Sequence, residues 1–238
     1  MIRLHYFERV SSTMDVIHQL AAEGAPAGTA VVAAEQLEGR GSRGQSWHSP
    51  LGGLWLSVLF RPDSAAGLEV TSIRVGLAVA EAVESLAGQP VGLKWPNDLM
   101  LAGRKLGGVL CEARWQGDTL GWIAVGLGMN VRNEVPPELG SIAVSLAAAR
   151  PDVTLEDVTE PVVAALRRLD LDAGRLTAGE LERFARRDWL RGREVREPVT
   201  GTVTGIQDDG ALLVRPPRGA VVPLRSGPVE LAAVSHSR

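Results

Sequence analysis

The sequence predicts a mixed α/β domain followed by a smaller domain of short strands. Three observations carry that prediction. Up to Trp189, apolar runs of strand length alternate with segments whose apolar residues recur at helical steps. From Glu194 to Val234 the pattern changes to short β-rich runs broken by Pro198, Asp208-Asp209-Gly210, Pro216-Pro217 and Ser226-Gly227-Pro228, which fits a small β-barrel. The 238 residues also suffice for one substantial core plus a domain of about 50 residues. The expected division is 1–189 and 190–238.

Each element has a local reason. Arg3 to Val10 reads as a strand, and Ser11, Ser12 and Thr13 can cap a helix running from near Met14 to Gly24, with Met14, Ile17 and Ala21 on one face. Thr29 to Ala34 is a second strand, and Gln36 to Pro50 is a polar, glycine-punctuated loop. Leu54 to Phe60 is a strongly apolar strand. Leu68 to Leu86 carries Ile73, Leu77, Ala80 and Val83 at helical steps, so a long helix packs on the sheet. Pro96 biases Trp95 toward extended backbone, so Val91 to Trp95 is a strand ending where Asn97 and Asp98 turn the chain; Lys105 to Glu112 returns. Leu120 to Val125 is a further strand, ending in Gly126, Gly128 and Asn130. Helices are expected at Leu155 to Leu169 and Ala178 to Trp189.

Composition narrows the function. Hydrophobic residues make up 45% and charged residues 22%, and no run approaches the roughly 18 apolar residues of a membrane span. The N-terminus lacks the pattern of a secretory signal, so a soluble cytoplasmic protein is expected. Cys111 is the only cysteine, and His5, His18, His48 and His236 have no metal-ligand spacing, so neither a disulfide nor a structural metal is expected. A net charge of -3 argues against a partner that must be gripped by its phosphates.

Two segments concentrate chemistry. Lys94 to Gly108, KWPNDLMLAGRKLGG, sets two lysines, an Asn-Asp pair and bare glycine backbone around one connection, so cations, a carboxylate and an approachable strand meet. Gly39 to Trp47, GRGSRGQSW, places Arg40 and Arg43 among glycines before an aromatic ring. This is either a solvated surface loop or a flap that closes over an anion while Trp47 stacks on a planar group. Ser12 and Thr13 serve equally as helix caps or as hydroxyl donors to a ligand carbonyl. Asn130 is a turn residue or a ligand contact. Cys111, Trp55 and Trp122 read as core.

Taken in order after the Ser11-Ser12-Thr13 run, GRGSRGQSW, KWPNDLMLAGRKLGG and GLGMN closely resemble the biotin protein ligases over roughly Tyr6 to Val131. The tail resembles that family's small SH3-like barrel. The resemblance implies a catalytic domain similar to class II aminoacyl-tRNA synthetases, with ATP, Mg2+ and biotin as reactants. Biotinyl-5'-AMP forms first, and a lysine of a biotin carboxyl carrier protein then takes the biotinyl group. It also implies residue roles. Ser12, Thr13, Met14, Gln36, Gly39, Arg40, Gly41, Ser42, Lys105 and Gly108 match the biotin side. Arg43, Trp47, Lys94, Asn97, Asp98 and Asn130 match the ATP side, with Mg2+ near Asp98. Lys105 and Arg40 would stabilise the transition state, and Asp98 is the candidate acceptor of the incoming lysine's proton.

This chain departs from the family pattern in places. Met14 stands where Asn is common, and Ser42 and Gln45 replace arginines of the loop, so weaker retention of the adenylate is expected. Some members carry an N-terminal helix-turn-helix and repress transcription; the eleven residues before Ser12 leave no room for one, so no DNA partner is expected. A lipoate ligase or octanoyl transferase is the nearest rival, and a non-catalytic biotin-binding module the rival of another class. Oligomeric state stays open, a homodimer included.

Overall fold

The strand-like runs assemble into one seven-stranded sheet in a computed structural model, which describes residues 4–232. Arg3, Val234 and His236 lie outside the described residues. The strands are β1 (Leu4–Val10), β2 (Ala30–Gln36), β3 (Leu54–Phe60), β4 (Gly92–Lys94), β5 (Asp98–Leu101), β6 (Arg104–Gln116) and β7 (Thr119–Met129). Their spatial order is β1-β2-β3-β7-β6-β5-β4. Only β1 and β2 run parallel, and the crossover that such a pair requires contains helix α1 (Thr13–Ala22).

Side chains alternate along each strand, so the sheet has two unlike faces. On one, Leu54, Leu56 and Val58 of β3 and Val125 and Leu127 of β7 share the main core with helices α2 (Leu68–Ala87) and α3 (Leu155–Leu166). On the other, Leu59 and Ala124 meet Met14, Ile17 and Ala21 of α1 in a smaller cluster. Each fully buried Leu or Ile stabilises by roughly 1.5 to 3 kcal/mol. Local signals set the helix ends. Ser12 caps α1 by accepting from the Met14 N–H, and Thr154 and Thr177 form capping boxes at α3 and α4 (Ala178–Arg187). Gly88, at φ 63°, closes α2.

The tail forms an antiparallel five-stranded sheet of β8 (Glu194–Glu197), β9 (Gly201–Ile206), β10 (Leu212–Arg215), β11 (Val222–Leu224) and β12 (Glu230–Leu231). Val195, Val203 and Leu212 pack into the same core as α2, and the Trp95 indole donates to the Gly210 carbonyl at 2.8 Å.

The structure corrects the sequence reading in three places. Asn97 turns the chain as expected, but Asp98 already opens a strand of its own, Asp98–Leu101, which pairs with β4, and a second tight turn at Ala102 and Gly103, both with positive φ, leads into β6. Four residues between a proline and a glycine are too few for periodicity to register. Gly126 and Gly128 do not end a strand either, because β7 continues through them to Met129. The last two expected helices stop at Leu166 and Arg187 rather than Leu169 and Trp189.

Candidate active site

Strand register builds the floor of the site. Asp98, Gly108, Gly128 and Trp55 stand opposite one another across β5, β6, β7 and β3, and Leu110, Gly126 and Ser57 form the next row on the same face. The glycines make this floor a recess. A Cβ at Gly128 would lie 2.6 Å from Nε1 of Trp47, and one at Gly126 would lie 2.8 Å from the Met14 sulfur. The loop therefore rests its indole, and α1 its thioether, directly on sheet backbone.

The loop itself is folded back on its base. The Trp47 N–H donates to the Gly39 carbonyl at 2.8 Å and the Gly41 N–H to the Gln45 carbonyl at 2.7 Å. A side chain at Gly39 would collide with the Trp47 carbonyl and the Ser49 hydroxyl, so only glycine fits there. Under this loop lies an inner pocket of about 40 Å³, lined among others by Ser12, Thr13, Met14, Gln36, Lys105 and Gly108. Its polar wall is one bonded chain. Ser57 Oγ donates to Thr13 Oγ1 (2.8 Å), Thr13 Oγ1 and the Thr13 N–H donate to Gln36 Oε1 (3.0 and 2.8 Å), and Gln36 Nε2 donates to Ser49 Oγ (2.9 Å).

A second, outer cavity of about 400 Å³ adjoins it, lined among others by Arg43, Lys94, Asn97, Asp98 and Asn130. Gly41, Ser42, Trp47, Asn97 and Lys105 line both. Lys105 Nζ sits 2.7 Å from Asp98 Oδ1 and 5.0 Å from the centre of the Trp47 ring. The Trp47 indole Nε1–H is buried and has no acceptor among the described residues. Asn97 locks its own turn by donating to the Val109 carbonyl at 2.7 Å, and buried Asn130 accepts from Asn133 at 3.0 Å. Lys94 lies 5.7 Å from the centre of the Trp189 ring.

Arg40 reaches sideways from the inner pocket. Its guanidinium is 2.7 Å from Asp15 and 4.0 Å from Glu112. The Arg40 hydrogen bond holds the Asp15 carboxyl below its usual range, and Asp15 raises Arg40 in return. Cys111 packs against the main core, where burial pushes its thiol up to about 12, the behaviour of an inert structural cysteine. Trp55 and Trp122 are buried as expected. Among the described residues no three His, Cys, Asp or Glu side chains cluster as a metal site. A single carboxylate, Asp98, beside amide oxygens instead fits a Mg2+ that arrives with a polyphosphate and keeps most of its other ligands.

The structure thus gathers the proposed residues at one place, with Gly39 at the base of the loop rather than on a cavity wall. Sequence reasoning missed Ser49, Ser57 and Asn133, single polar residues without a distinguishing pattern. It also missed Gly227, Pro228 and Val229, which line the outer cavity from the tail.

This chain belongs to the biotin/lipoate A/B protein ligase family, whose sequence model matches residues 6–130. It is 32% identical over 244 residues to the bifunctional ligase/repressor BirA of Bacillus subtilis, covering 96% of this chain and 74% of that protein. It is 32% identical over 211 residues to the biotin–[acetyl-CoA-carboxylase] ligase of Paracoccus denitrificans, covering 81% and 86%. The fold is similar to that of the biotin protein ligase of Aquifex aeolicus solved in complex with biotin and ATP, with TM-score 0.77, 28% identity and coverage of 98% and 99%.

Proposed function

We propose that the chain is a biotin protein ligase, which activates biotin with ATP and transfers it to a lysine of a biotin carboxyl carrier protein. The position of Lys105 carries this reading: one ammonium stands where a hydrogen-bonding inner pocket opens into a larger, cation-lined cavity. Binding biotin alone requires no such junction.

The ureido head of biotin takes the inner pocket, exchanging bonds with Thr13 and Gln36. Its carboxylate then points at Lys105, and ATP occupies the outer cavity. A carboxylate oxygen attacks the α-phosphorus, the bond to the β-phosphoryl oxygen breaks, and pyrophosphate leaves. Both reactants are anionic, so Lys105 offsets their repulsion; at about 4 Å a pair of unit charges is worth roughly 4 kcal/mol at an effective dielectric of 20. Mg2+ bound with ATP near Asp98 supplies further charge neutralisation. In the second step the neutral amine of the carrier lysine attacks the acyl carbon, the bond to the phosphate oxygen breaks and AMP departs. Asp98, a carboxylate lining the outer cavity, is assigned the amine's proton, for which it must release its 2.7 Å pair with Lys105. An Asp98→Asn chain that transfers from preformed adenylate at full rate removes that role.

The same reading makes residues 1–189 a catalytic domain of the class II aminoacyl-tRNA synthetase type and 190–238 an SH3-like barrel, in a cytoplasmic enzyme. The antiparallel sheet of the tail supports the second assignment. The deciding experiment is exchange of labelled pyrophosphate into ATP, followed by label transfer to a carboxyl carrier domain. Exchange that depends on biotin and not lipoate supports the proposal. Exchange with lipoate alone would make the chain a lipoate ligase, and biotin binding with neither exchange nor transfer would make it a binding module.

A further inference from the structure

Behind the inner pocket, a run of side chains leads away from Arg40 that the chemistry above does not use. Glu112 on β6 faces Arg40 Nε with Oε1 at 4.0 Å. Its other oxygen, Oε2, receives Arg114 Nη2 at 3.1 Å and His18 Nε2 at 3.0 Å. On the far side of the imidazole, the Trp122 indole N–H donates to His18 Nδ1 at 2.9 Å. An indole nitrogen can only donate, so Nδ1 must be the acceptor and Nε2 must carry the proton. His18 is therefore held as one neutral tautomer, whose single N–H is aimed at Glu112. With Oε2 taken, Oε1 is left turned toward Arg40.

We infer that His18, acting through Glu112, is a positioning residue that holds Arg40 against the inner pocket and so governs how firmly the pocket keeps its occupant. The inference rests on the proposed function for the identity of that occupant. Arg40 has two anchors, Asp15 on α1 and Glu112 on β6, and it is the first side chain after the glycine that starts the loop. Loosening one anchor lets the loop base shift beside the inner pocket, while Lys94, Asn97, Asp98 and Asn130 of the outer cavity, which do not sit on the loop, stay in place. The arrangement also responds to acid. The ionisable groups around the imidazole are Glu112 and Arg114 from β6, Asp15 from its own helix and Arg40 from the loop, while Arg61 lies 5.6 Å from the centre of the Trp122 ring. Protonating Nδ1 breaks the Trp122 bond and adds a third cation beside Arg40 and Arg114. Burial lowers the pKa of His18, so this happens below the ordinary histidine range.

The test uses the full chain with biotin and MgATP. His18→Leu should raise the half-saturating biotin concentration and the leakage of adenylate about fivefold. Half-saturation for ATP should move less than that for biotin, because much of the outer cavity lies off the loop. Glu112→Gln should have the same effect, and the double variant should add little to either. Biotin retention in the parent chain should fall as pH drops through the His18 transition, and His18→Leu should flatten that limb. Trp122→Phe, which keeps the packing and removes the donor, should move the limb to higher pH; it serves also if His18→Leu does not fold. Nitrogen-15 spectra of labelled histidine should report a proton on Nε2 at neutral pH. Equal changes in biotin and ATP half-saturation, additive single variants, or a proton on Nδ1 would each overturn the inference. These outcomes differ from failure of the proposed function, in which the parent chain itself shows no biotin-dependent exchange.

Discussion

The inner pocket encloses about 40 Å³ and the outer cavity about 400 Å³, yet they share Lys105 and Trp47 as a common wall. In the inner pocket, Thr13, Gln36, Ser49 and Ser57 are already bonded to one another, and Met14 and Trp47 rest on glycine backbone. The outer cavity is assembled from distant stretches, the loop, the KWPND turn, Asn130, residues near Ile142 and the tail at Gly227 to Val229. A prebonded recess selects its ligand strictly, because an occupant must replace the bonds it breaks. A wide cavity lined by cations from separate segments suits a flexible polyphosphate and the later arrival of a large acceptor.

Five variants would break or sharpen that contrast. Lys105→Ala strikes the shared wall and should lower the adenylation rate the most, by about 3 to 4 kcal/mol of transition-state stabilisation, as deletion of a charge-stabilising donor does. Single-turnover adenylate formation measures it; a loss confined to substrate affinity would show that Lys105 only binds. Gly128→Ala should cost about 1 to 3 kcal/mol by driving a methyl into the Trp47 indole, seen as a lower Tm together with weaker biotin binding. Gln36→Leu should affect the inner pocket alone. It removes the central member of the polar chain, so biotin affinity should fall by about 1 to 3 kcal/mol while ATP half-saturation holds. Ser42→Arg should restore loop charge and slow adenylate leakage, by at most about fivefold for an exposed pair. Equal leakage would remove the explanation offered for that departure.

The smallest effect concerns pH. The folded-state pKa of Asp15 is depressed by Arg40, so the pair contributes stability above the unfolded carboxylate pKa. That contribution is lost as pH falls through the lower folded value. With Asp15 46% and Arg40 38% exposed, screening keeps it small. Asp15→Asn should therefore flatten the acidic limb of the Tm profile slightly, without a change at neutral pH beyond the loss of one surface pair.

Much of this was legible in the residues. Ser12 ahead of an amphipathic run identified the start of α1, and the strongly apolar Leu54 to Phe60 run matched β3 residue for residue. The loop and the KWPND segment were recognisable as chemistry because they crowd charges and glycines into a few positions. Gly126 and Gly128 were misread because glycine carries the same local signal in a turn as in the floor of a site. Asp98–Leu101 was too short to show a period. Ser49, Ser57 and Asn133 carry no local signature, and their roles exist only through partners 3 to 44 positions away.

By itself the order of residues determined the alternation of strands and helices, the caps, the change of character after Trp189 and the two segments in which charge gathers. These are short-range matters, set by backbone sterics and by which side chains avoid water. Only the tertiary structure decided that Asp98, Gly108, Gly128 and Trp55 share one row, that Arg40 faces Asp15 and Glu112, and that the tail closes the outer cavity. Strand register and packing between distant segments depend on the whole sheet being satisfied at once, and no local stretch of chain encodes that condition.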